Sequence, residues 1–339
     1  MTAELHPHDP STGIDHNSRS EAPVFSIGCS RSGTTLLYHM ILSAGDFAVY
    51  RMESHVFTLL EPRFQPLTSN KNKQRMLNAW YQSRLFTRSG VDRELFESRV
   101  MAECRNGGDF LRILMEEICR SQGVRRWAET TPEHILYMAR IKETIPKALF
   151  IHVIRDGRDV ALSWEKLSQI RPLPGDPHRP AIAAAIYWDW FVSRGRKVGH
   201  ALGEDYTEVS YEDLVIKPVE ILKGLEPFIA HPLDYDRIRS VAIGSVAAPN
   251  SAYKGEKRSP IGRWKTDFTP HELEVCEALI GRSLIDLGYE TVTPAATKKM
   301  PAYLAALRAT YRNYFEAKLF VKTRTPLGRW FTSRNLARL

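Results

Sequence analysis

Residues 24–45, VFSIGCSRSGTTLLYHMILSAG, dictate the architecture predicted for this chain. The apolar run 24–27 predicts a buried strand, and small polar residues follow it from Gly28 to Gly33. Apolar residues at helical spacing then predict a helix that ends near Gly45. A strand, a small-residue loop and a helix N-terminus together present several backbone N–H groups to one anion. The stretch therefore predicts an α/β fold with an anion site in its first loop.

The loop differs from the P-loop of nucleoside-triphosphate enzymes at one position. Gly28 and Gly33 have the P-loop separation, but Thr34 stands where the lysine should be. Arg31 supplies the cation instead, and its guanidinium fork suits phosphate or sulfate. Thr34 and Thr35 add hydroxyl donors. We interpret the loop as a P-loop-like anion site that works without a metal; an ordinary strand-to-helix turn with an exposed arginine is the alternative.

The composition is that of an ordinary globular protein. The chain has 339 residues, of which 43% are hydrophobic and 25% charged, enough for one large domain or two small ones. No run approaches the roughly 20 apolar residues of a membrane span. Residues 1–22 are polar and predict a disordered lead-in without a signal peptide. The four cysteines lack metal-like spacing and favour a reducing cytoplasm.

The net charge of +8 arises at the C-terminal end, because residues 297–339 hold ten Lys or Arg and one acidic residue, a net +9, which leaves about −1 for the rest of the chain. The body is therefore not a basic nucleic-acid binder, and no nucleic-acid partner is expected. Residues 293–339 predict a basic helical extension with apolar side chains on one face, Leu304, Leu307, Tyr311, Tyr314 and Phe315. This face suits a membrane surface, a dimer contact, or packing on its own domain.

Four more strands are predicted, at 47–51, 124–129, 148–154 and 206–210, with helices at 133–144, at 181–201 and from Pro218. The run 148–154 is continuously apolar, as in a strand buried on both faces. Ligands of open α/β sheets bind beyond the carboxyl ends of the strands. Glu53 and His55 follow the second predicted strand, so we expect them near the anion loop.

Two later segments add groups suited to phosphate. Arg155 follows the strand at 148–154, and Ser163 lies in the helix after it, so both can reach one phosphate across the turn. A solvated salt-bridge turn is the alternative. Residues 250–268 form a long polar segment whose basic residues and Trp264 suit a nucleotide-phosphate lid. Thr269 and Glu272 then have the spacing of a capping box.

Four segments, in order within residues 24–290, resemble motifs of sulfotransferases that use 3′-phosphoadenosine 5′-phosphosulfate (PAPS). RSGTT at 31–35 resembles the 5′-phosphosulfate loop, and RDGRDVALS at 155–163 resembles the 3′-phosphate motif. KRSPIGRWKTDFT at 257–269 resembles the lid motif, and YEDL at 211–214 recurs in the family. The resemblance implies a single domain, residues 23–292, with a central parallel sheet of about five strands wrapped by helices.

The same resemblance implies the residues that bind the donor. They are Arg31, Ser32, Gly33, Thr34 and Thr35 for the 5′-phosphosulfate, Arg155 and Ser163 for the 3′-phosphate, Tyr211 beside the nucleotide, Lys257, Arg258 and Ser259 closing on the 3′-phosphate, and Trp264 in the lid. Two departures stand out. Thr130 occupies the place of a lysine that many relatives carry, and Ser259 occupies the place of a lid glycine.

The implied activity is metal-free, in-line transfer of a sulfuryl group from PAPS to a hydroxyl or amine. Arg31 and Glu53 are the predicted catalytic residues. Glu53 resembles the base of the tyrosylprotein and carbohydrate-type branches rather than the histidine base of the cytosolic branch, and His55 is the rival base. The acceptor stays open among sugar, lipid, peptide and small metabolite, and the expected location is the cytoplasm or its membrane surface. A P-loop kinase or other nucleotide phosphotransferase and a non-catalytic membrane-associated adaptor are the alternatives.

Overall fold

The computed structural model describes residues 19–168, 170–247 and 259–325. Its sheet has four parallel strands in the order β2-β1-β3-β4, which are β1 Val24–Ile27, β2 Ala128–Glu129, β3 Leu149–Ile154 and β4 Tyr206–Ser210. All residues of β1 and β3 are buried, and alternate residues face two separate hydrophobic cores. Central strands buried on both faces carry the continuous apolar pattern seen in the sequence.

Helices account for most of the remaining described residues. The α-helices are Thr34–Ser43, Glu61–Phe64, Asn70–Tyr81, Arg84–Ser89, Arg93–Glu103, Gly107–Gln122, Met138–Thr144, Gly157–Lys166, Pro180–His200, Tyr211–Ile216, Pro218–Ile229, Tyr235–Val241, Trp264–Asp267, Pro270–Asp286 and Ala302–Arg324. Shorter helical turns are a π-helix, Val56–Leu60, and the 3₁₀ segments Pro132–Tyr137, Gly203–Asp205, Gly244–Val246 and Pro294–Ala296. We name Thr34–Ser43 the loop helix, Pro180–His200 the core helix and Ala302–Arg324 the C-terminal helix. None of the described helices has the length and apolarity needed to cross a bilayer.

The predicted fold class is confirmed, and several elements fall where the pattern put them. The strands predicted at 24–27, 148–154 and 206–210 and the core helix are present within a residue, and the loop helix ends at Ser43, two residues before the Gly45 near which its end was predicted. The capping box is also present: the Thr269 hydroxyl accepts the Glu272 N–H, and the Glu272 carboxylate accepts the Thr269 N–H at 2.8 Å.

The strand predicted at 47–51 is wrong, so the described sheet has four strands rather than about five. Only an isolated bridge between Phe47 and Arg126 remains there. The side-chain amide of Gln122 explains the loss, because it accepts the Val49 N–H at 2.7 Å and donates to the Val49 carbonyl at 3.0 Å. A side chain thus takes the two groups that a neighbouring strand would have paired. The strand predicted at 124–129 shrinks to Ala128–Glu129, and the helix predicted at 133–144 begins as 3₁₀.

Residues 19–22, the end of the predicted disordered lead-in, belong to the folded body. The buried Arg19 guanidinium donates to the carbonyls of Phe228 at 3.0 Å and Glu204 at 2.9 Å. Its own carbonyl accepts from Arg126 at 2.8 Å. The prediction of disorder is therefore wrong for these four residues, and residues 1–18 lie outside the described part of the chain.

The C-terminal helix packs on the core helix. The Phe315 ring lies 5.1 Å from Tyr187 and 5.5 Å from Trp190, centroid to centroid. Of the apolar face predicted for this helix, Leu304, Tyr311 and Phe315 are buried, while Tyr314 is exposed. The observed packing supports the interpretation that the helix covers its own domain. A membrane or dimer contact stays a prediction.

A buried carboxylate anchors the C-terminal helix. Asp189, with 0% exposure, accepts hydrogen bonds from Arg308 at 2.8 Å and Arg312 at 3.0 Å, and also from the Ser283 hydroxyl. A second ion pair on the same helix joins Glu316 to Arg194 at 2.8 Å and is largely exposed. Buried charge-assisted bonds are costly to break, whereas exposed pairs contribute little.

We expect Asp189→Ala to lower the free energy of unfolding by about 3 kcal/mol, because it leaves two arginines without their buried partner. Amide hydrogen exchange should then accelerate throughout residues 302–324. The matched control is Glu316→Gln, which removes the exposed pair of the same helix and should cost less than about 1 kcal/mol. Equal effects of the two variants would show that Asp189 is not the anchor.

Candidate active site

A cavity of about 370 Å³ lies at the carboxyl edge of the sheet. The residues around it follow β1, β2, β3 and β4 in the chain, because the ends of parallel strands meet at one edge. Seven residues predicted from the sequence line it together, namely Arg31, Gly33, Thr34, Thr35, Glu53, Arg155 and Tyr211. The structure therefore joins the first loop, the RDGRD motif and the YEDL motif in one site.

The loop after β1 is shaped to receive an anion. Gly33 has φ 93°, and a Cβ at this position would lie 2.2 Å from the Tyr211 ring. Glycine is therefore required both for the backbone conformation and for the close approach of Tyr211. The loop helix begins at Thr34, immediately after this glycine, so the positive end of its dipole lies at the cavity.

Two arginines form one wall of the cavity. Arg31 Nε donates to the Ser163 hydroxyl at 3.1 Å, and Arg155 Nη1 donates to the backbone carbonyl of Arg31 at 2.9 Å. The Arg155 guanidinium also lies 4.6 Å from the centroid of the Tyr211 ring. Its buried Nε has no hydrogen-bond partner among the described residues. Four of the residues predicted to bind the donor therefore form one chain of contacts, from Ser163 through Arg31 and Arg155 to Tyr211.

The remaining charged residues of the RDGRD motif are structural. Arg158 is buried between Asp156 at 2.7 Å and Glu277 at 2.6 Å, and it stacks on Trp264 at 3.5 Å from the ring centroid. Asp159 accepts the N–H groups of Gly262 at 2.7 Å and Trp264 at 3.0 Å. The motif therefore holds the segment 260–264 against the site. Trp264, only 4% exposed, does not line the cavity as a lid residue would.

We expect Asp159→Ala to release the segment 260–264. It removes the carboxylate that accepts both the Gly262 and the Trp264 amide, and a charge-assisted hydrogen bond contributes about 1.5–3 kcal/mol. Hydrogen exchange at these two amides should accelerate at least about tenfold. Asp267→Ala is the control, because Asp267 lies next to the same segment but is exposed, and its carboxylate accepts the Thr266 hydroxyl at 2.8 Å rather than the Gly262 or Trp264 amide. Unchanged exchange in Asp159→Ala would contradict this role.

Four residues predicted to bind the donor lie away from the cavity or outside the described residues. Ser32 is fully buried and does not line the cavity, whereas its neighbour Ser30 does. Ser259 is exposed, and its hydroxyl accepts the Ile261 N–H at 3.1 Å. Lys257 and Arg258 lie outside the described residues.

The wall opposite the arginines is acidic. Glu53 and His55 are paired, with 3.3 Å between Glu53 Oε2 and His55 Nε2, and Glu133 joins them. One ligand atom from each of the three lies within 4.8 Å of the others, a spacing that could hold a metal ion. Burial and the carboxylates of Glu133 and Glu129 raise the pKa of Glu53 to about 8, although Arg31 opposes the shift. Burial lowers the pKa of His55.

Glu129, at the end of β2, holds this acidic wall in place. Its buried carboxylate accepts from the Ser54 hydroxyl at 2.7 Å, the Thr131 N–H at 3.1 Å and His134 Nδ1 at 2.9 Å. Burial raises the pKa of Glu129, but His134 and these hydrogen bonds outweigh burial and bring it to about 2. Thr130, in the place of the family lysine, is buried and donates to the Ser26 carbonyl at 3.1 Å, so it ties β2 to β1.

A family model described as the Sulfotransferase family matches residues 23–235, more than half of the chain. The chain belongs to the sulfotransferase family. No protein with a curated description matches it in sequence.

Solved structures resemble this chain at low sequence identity, and one sulfotransferase domain among them shares its fold. A sulfotransferase domain from the curacin biosynthetic pathway is 17% identical with a TM-score of 0.53, over 80% of this chain and 99% of that chain. A sulfotransferase domain from the Synechococcus PCC 7002 olefin synthase is 18% identical with a TM-score of 0.45, over 87% and 94%. Retinol dehydratase in complex with androsterone and the inactive cofactor PAP is 17% identical with a TM-score of 0.40, over 81% and 83%.

Six residues that line the sulfotransferase cavity were not predicted as site residues, namely Ser30, Leu36, Pro132, Glu133, Trp164 and Ser245. Glu133 directly follows the AETTP segment and Trp164 directly follows Ser163, so both had a neighbouring signal. Trp164 Nε1 donates to the Ser30 carbonyl at 2.9 Å and thereby fixes the anion loop. Ser245, whose hydroxyl donates to the Thr35 carbonyl at 3.3 Å, lies in no motif.

Proposed function

We propose that this sulfotransferase transfers the sulfuryl group of PAPS to an acceptor hydroxyl, with Glu53 as the base. The observation that carries the proposal is the division of one cavity into two walls. Arg31, Arg155 and the start of the loop helix form a cationic wall, and Glu53 with Glu133 forms an acidic wall. In sulfuryl transfer the donor is anionic and suits the cationic wall. The acceptor hydroxyl must lose a proton and suits the acidic wall.

The cationic wall suits a donor with two anionic ends. The 5′-phosphosulfate would lie on the loop from Arg31 to Thr35, where backbone N–H groups and the helix dipole favour negative charge. The 3′-phosphate would bind Arg155 and Ser163. The 3.1 Å bond from Arg31 to Ser163 supports this arrangement, because it keeps the two phosphate sites side by side. Arginine forks can bind phosphate oxygens through two parallel bonds.

We expect Arg155→Ala to weaken binding of adenosine 3′,5′-bisphosphate (PAP) about 10- to 100-fold, the range for losing a charge-assisted hydrogen bond. Adenosine 5′-phosphosulfate, which lacks the 3′-phosphate, should change by less than about threefold. Calorimetry with both ligands measures the difference. Arg125→Ala, at an exposed arginine, is the control. Equal weakening of both ligands would contradict a specific role at the 3′-phosphate.

The acidic wall suits proton removal from the acceptor. As the acceptor oxygen bonds to sulfur, the bond from sulfur to the 5′-phosphate oxygen breaks, and the acceptor proton passes to Glu53. The products are a sulfate ester and PAP. Arg31 stabilises the charge that develops on the phosphate oxygen. Positive charge comes from arginine and helix dipole, and we propose that the step needs no metal. A carboxylate with a pKa near the working pH is an efficient base.

We expect Glu53→Gln to lower kcat by about 10²–10⁴-fold, the usual contribution of a general base. The affinity for PAP should stay within about threefold, because Glu53 faces the acceptor and not the donor phosphates. His55→Asn tests the rival base and should cost less. A larger loss of kcat in His55→Asn than in Glu53→Gln would reverse the assignment.

The pH dependence follows from the raised pKa of Glu53. Only the ionised carboxylate accepts a proton, so kcat/KM should rise with pH up to about 8 and then level off, since the pKa is raised to about 8. Glu53→Gln has no group to titrate at this position, so its kcat/KM should not show this rise with pH. A profile of kcat/KM from pH 6 to pH 10 on both proteins measures it. An unchanged limb in the variant would assign the titration to another group.

A further inference from the structure

A second and larger cleft, of about 760 Å³, is lined in part by residues that follow active-site residues closely in the chain. Phe57, Leu136 and Leu319 are among the residues that line it, from the π-helix, the 3₁₀ segment and the C-terminal helix. The first two come shortly after active-site residues in the chain, since Phe57 follows His55 and Leu136 follows Glu133. The same two stretches of backbone thus border both the acidic wall and this cleft.

We infer that this cleft binds the body of the acceptor, and that the acceptor is a medium-sized, uncharged amphipathic alcohol whose hydroxyl reaches Glu53. The inference rests on the proposed function, because it needs Glu53 at the acceptor side of the reaction. It names a substrate class and assigns its selection to the C-terminal helix, which lies outside the residues 23–235 of the family match.

The size and walls of the cleft suit such a molecule. A volume of about 760 Å³ falls within the range of pockets that enclose small organic ligands. Phe57, Leu136, Val198, Leu319 and Phe320 give it apolar surface. Such walls bind the apolar body of a ligand through the hydrophobic effect, whereas a protein or a long polysaccharide would be too large to be enclosed.

Three carboxylates and three arginines line the cleft, so its lining carries no net formal charge, and most of these charges are already paired within the protein. Arg140 bonds Glu61 at 2.7 Å and Glu143 at 2.9 Å, and Arg194 bonds Glu316 at 2.8 Å. Binding a polyanion or a polycation here would compete with these pairs. An uncharged ligand leaves them intact, which is why we assign the cleft to a neutral acceptor.

One polar group in the cleft still needs a partner. The Tyr137 side chain is 9% exposed, and its hydroxyl has no hydrogen-bond partner among the described residues. Burial and the carboxylates of Glu133 and Glu61 raise the pKa of Tyr137, so the hydroxyl keeps its proton. A buried donor without a partner is unfavourable. A small rotation of the side chain toward the cleft would let an oxygen of the acceptor satisfy it and orient the molecule.

Lys322 connects the C-terminal helix to the acidic wall. It lies one position before Thr323, which lines the cleft, and it interacts electrostatically with Glu133 and His55. Burial lowers the pKa of Lys322, and Glu133 opposes that shift. The helix that supplies Leu319 to the cleft therefore also brings a cation to the edge of the active site.

The test is calorimetric titration of the full chain with 1-decanol and 1-propanol, with and without PAP. Decanol should bind at least about tenfold more tightly than propanol, because its longer chain buries more apolar surface. Leu319→Trp fills the cleft and should abolish this advantage. Tyr303→Trp, at an exposed position of the same helix, should keep it. No preference for decanol, or an equal preference in both variants, would overturn the inference.

Tyr137→Phe separates binding from folding. Its unpartnered hydroxyl contributes nothing to the empty protein, so the Tm should not fall, while decanol affinity should drop about three- to tenfold. A lower Tm with unchanged decanol affinity would make Tyr137 structural and would contradict its place in the inference. Failure to bind PAP would count against the proposed donor alone, because the alcohol preference measured without PAP still reports on the cleft.

Discussion

The acidic wall of this sulfotransferase is organised by one buried carboxylate, Glu129. Its hydrogen bonds reach backward to Ser54 and forward to Thr131 and His134, so it joins two segments that are far apart in the chain. Because the carboxylate stays ionised, each of these bonds is charge-assisted and strong. Glu53 and Glu133, on the two segments, are held together despite their like charge. Their mutual repulsion, added to burial, is what raises the pKa of Glu53.

The cationic wall has a different structural cause, namely that the carboxyl ends of neighbouring parallel strands lie side by side. Arg31 follows β1 and Arg155 follows β3, and these strands pair from Val24–Leu149 to Ile27–His152. Neighbouring parallel strands bring their following loops together without any long-range ion pair. The bond from Arg155 to the Arg31 carbonyl then fixes their separation. Arg31 also faces Glu53 electrostatically, so the two walls influence each other.

The features that the sequence predicted correctly depend on residues close together in the chain. The features that it missed depend on contacts between residues far apart in the chain. The strand, loop and loop helix around Gly33 follow from spacing and small residues alone, and so does the capping box at Thr269. The predicted strand at 47–51 failed because Gln122, far along the chain, takes its backbone groups. The structural role of Trp264 depends on Arg158, and the role of Glu129 depends on Ser54. Neither pairing has a signature in local spacing.

The C-terminal helix combines both kinds of cause. The periodicity of the sequence predicted its apolar face but not the surface on which that face packs. Its position on the core helix depends on Asp189, which pairs with Arg308 and Arg312. That anchoring has a consequence for chemistry. A helix fixed at its first half projects Leu319 and Lys322 toward the cleft and the acidic wall. Under the proposed function, family motifs build the donor side of the site, and the cleft that we assign to the acceptor is completed by a segment beyond them. Acceptor choice can then change through this helix without disturbing the residues that hold the donor.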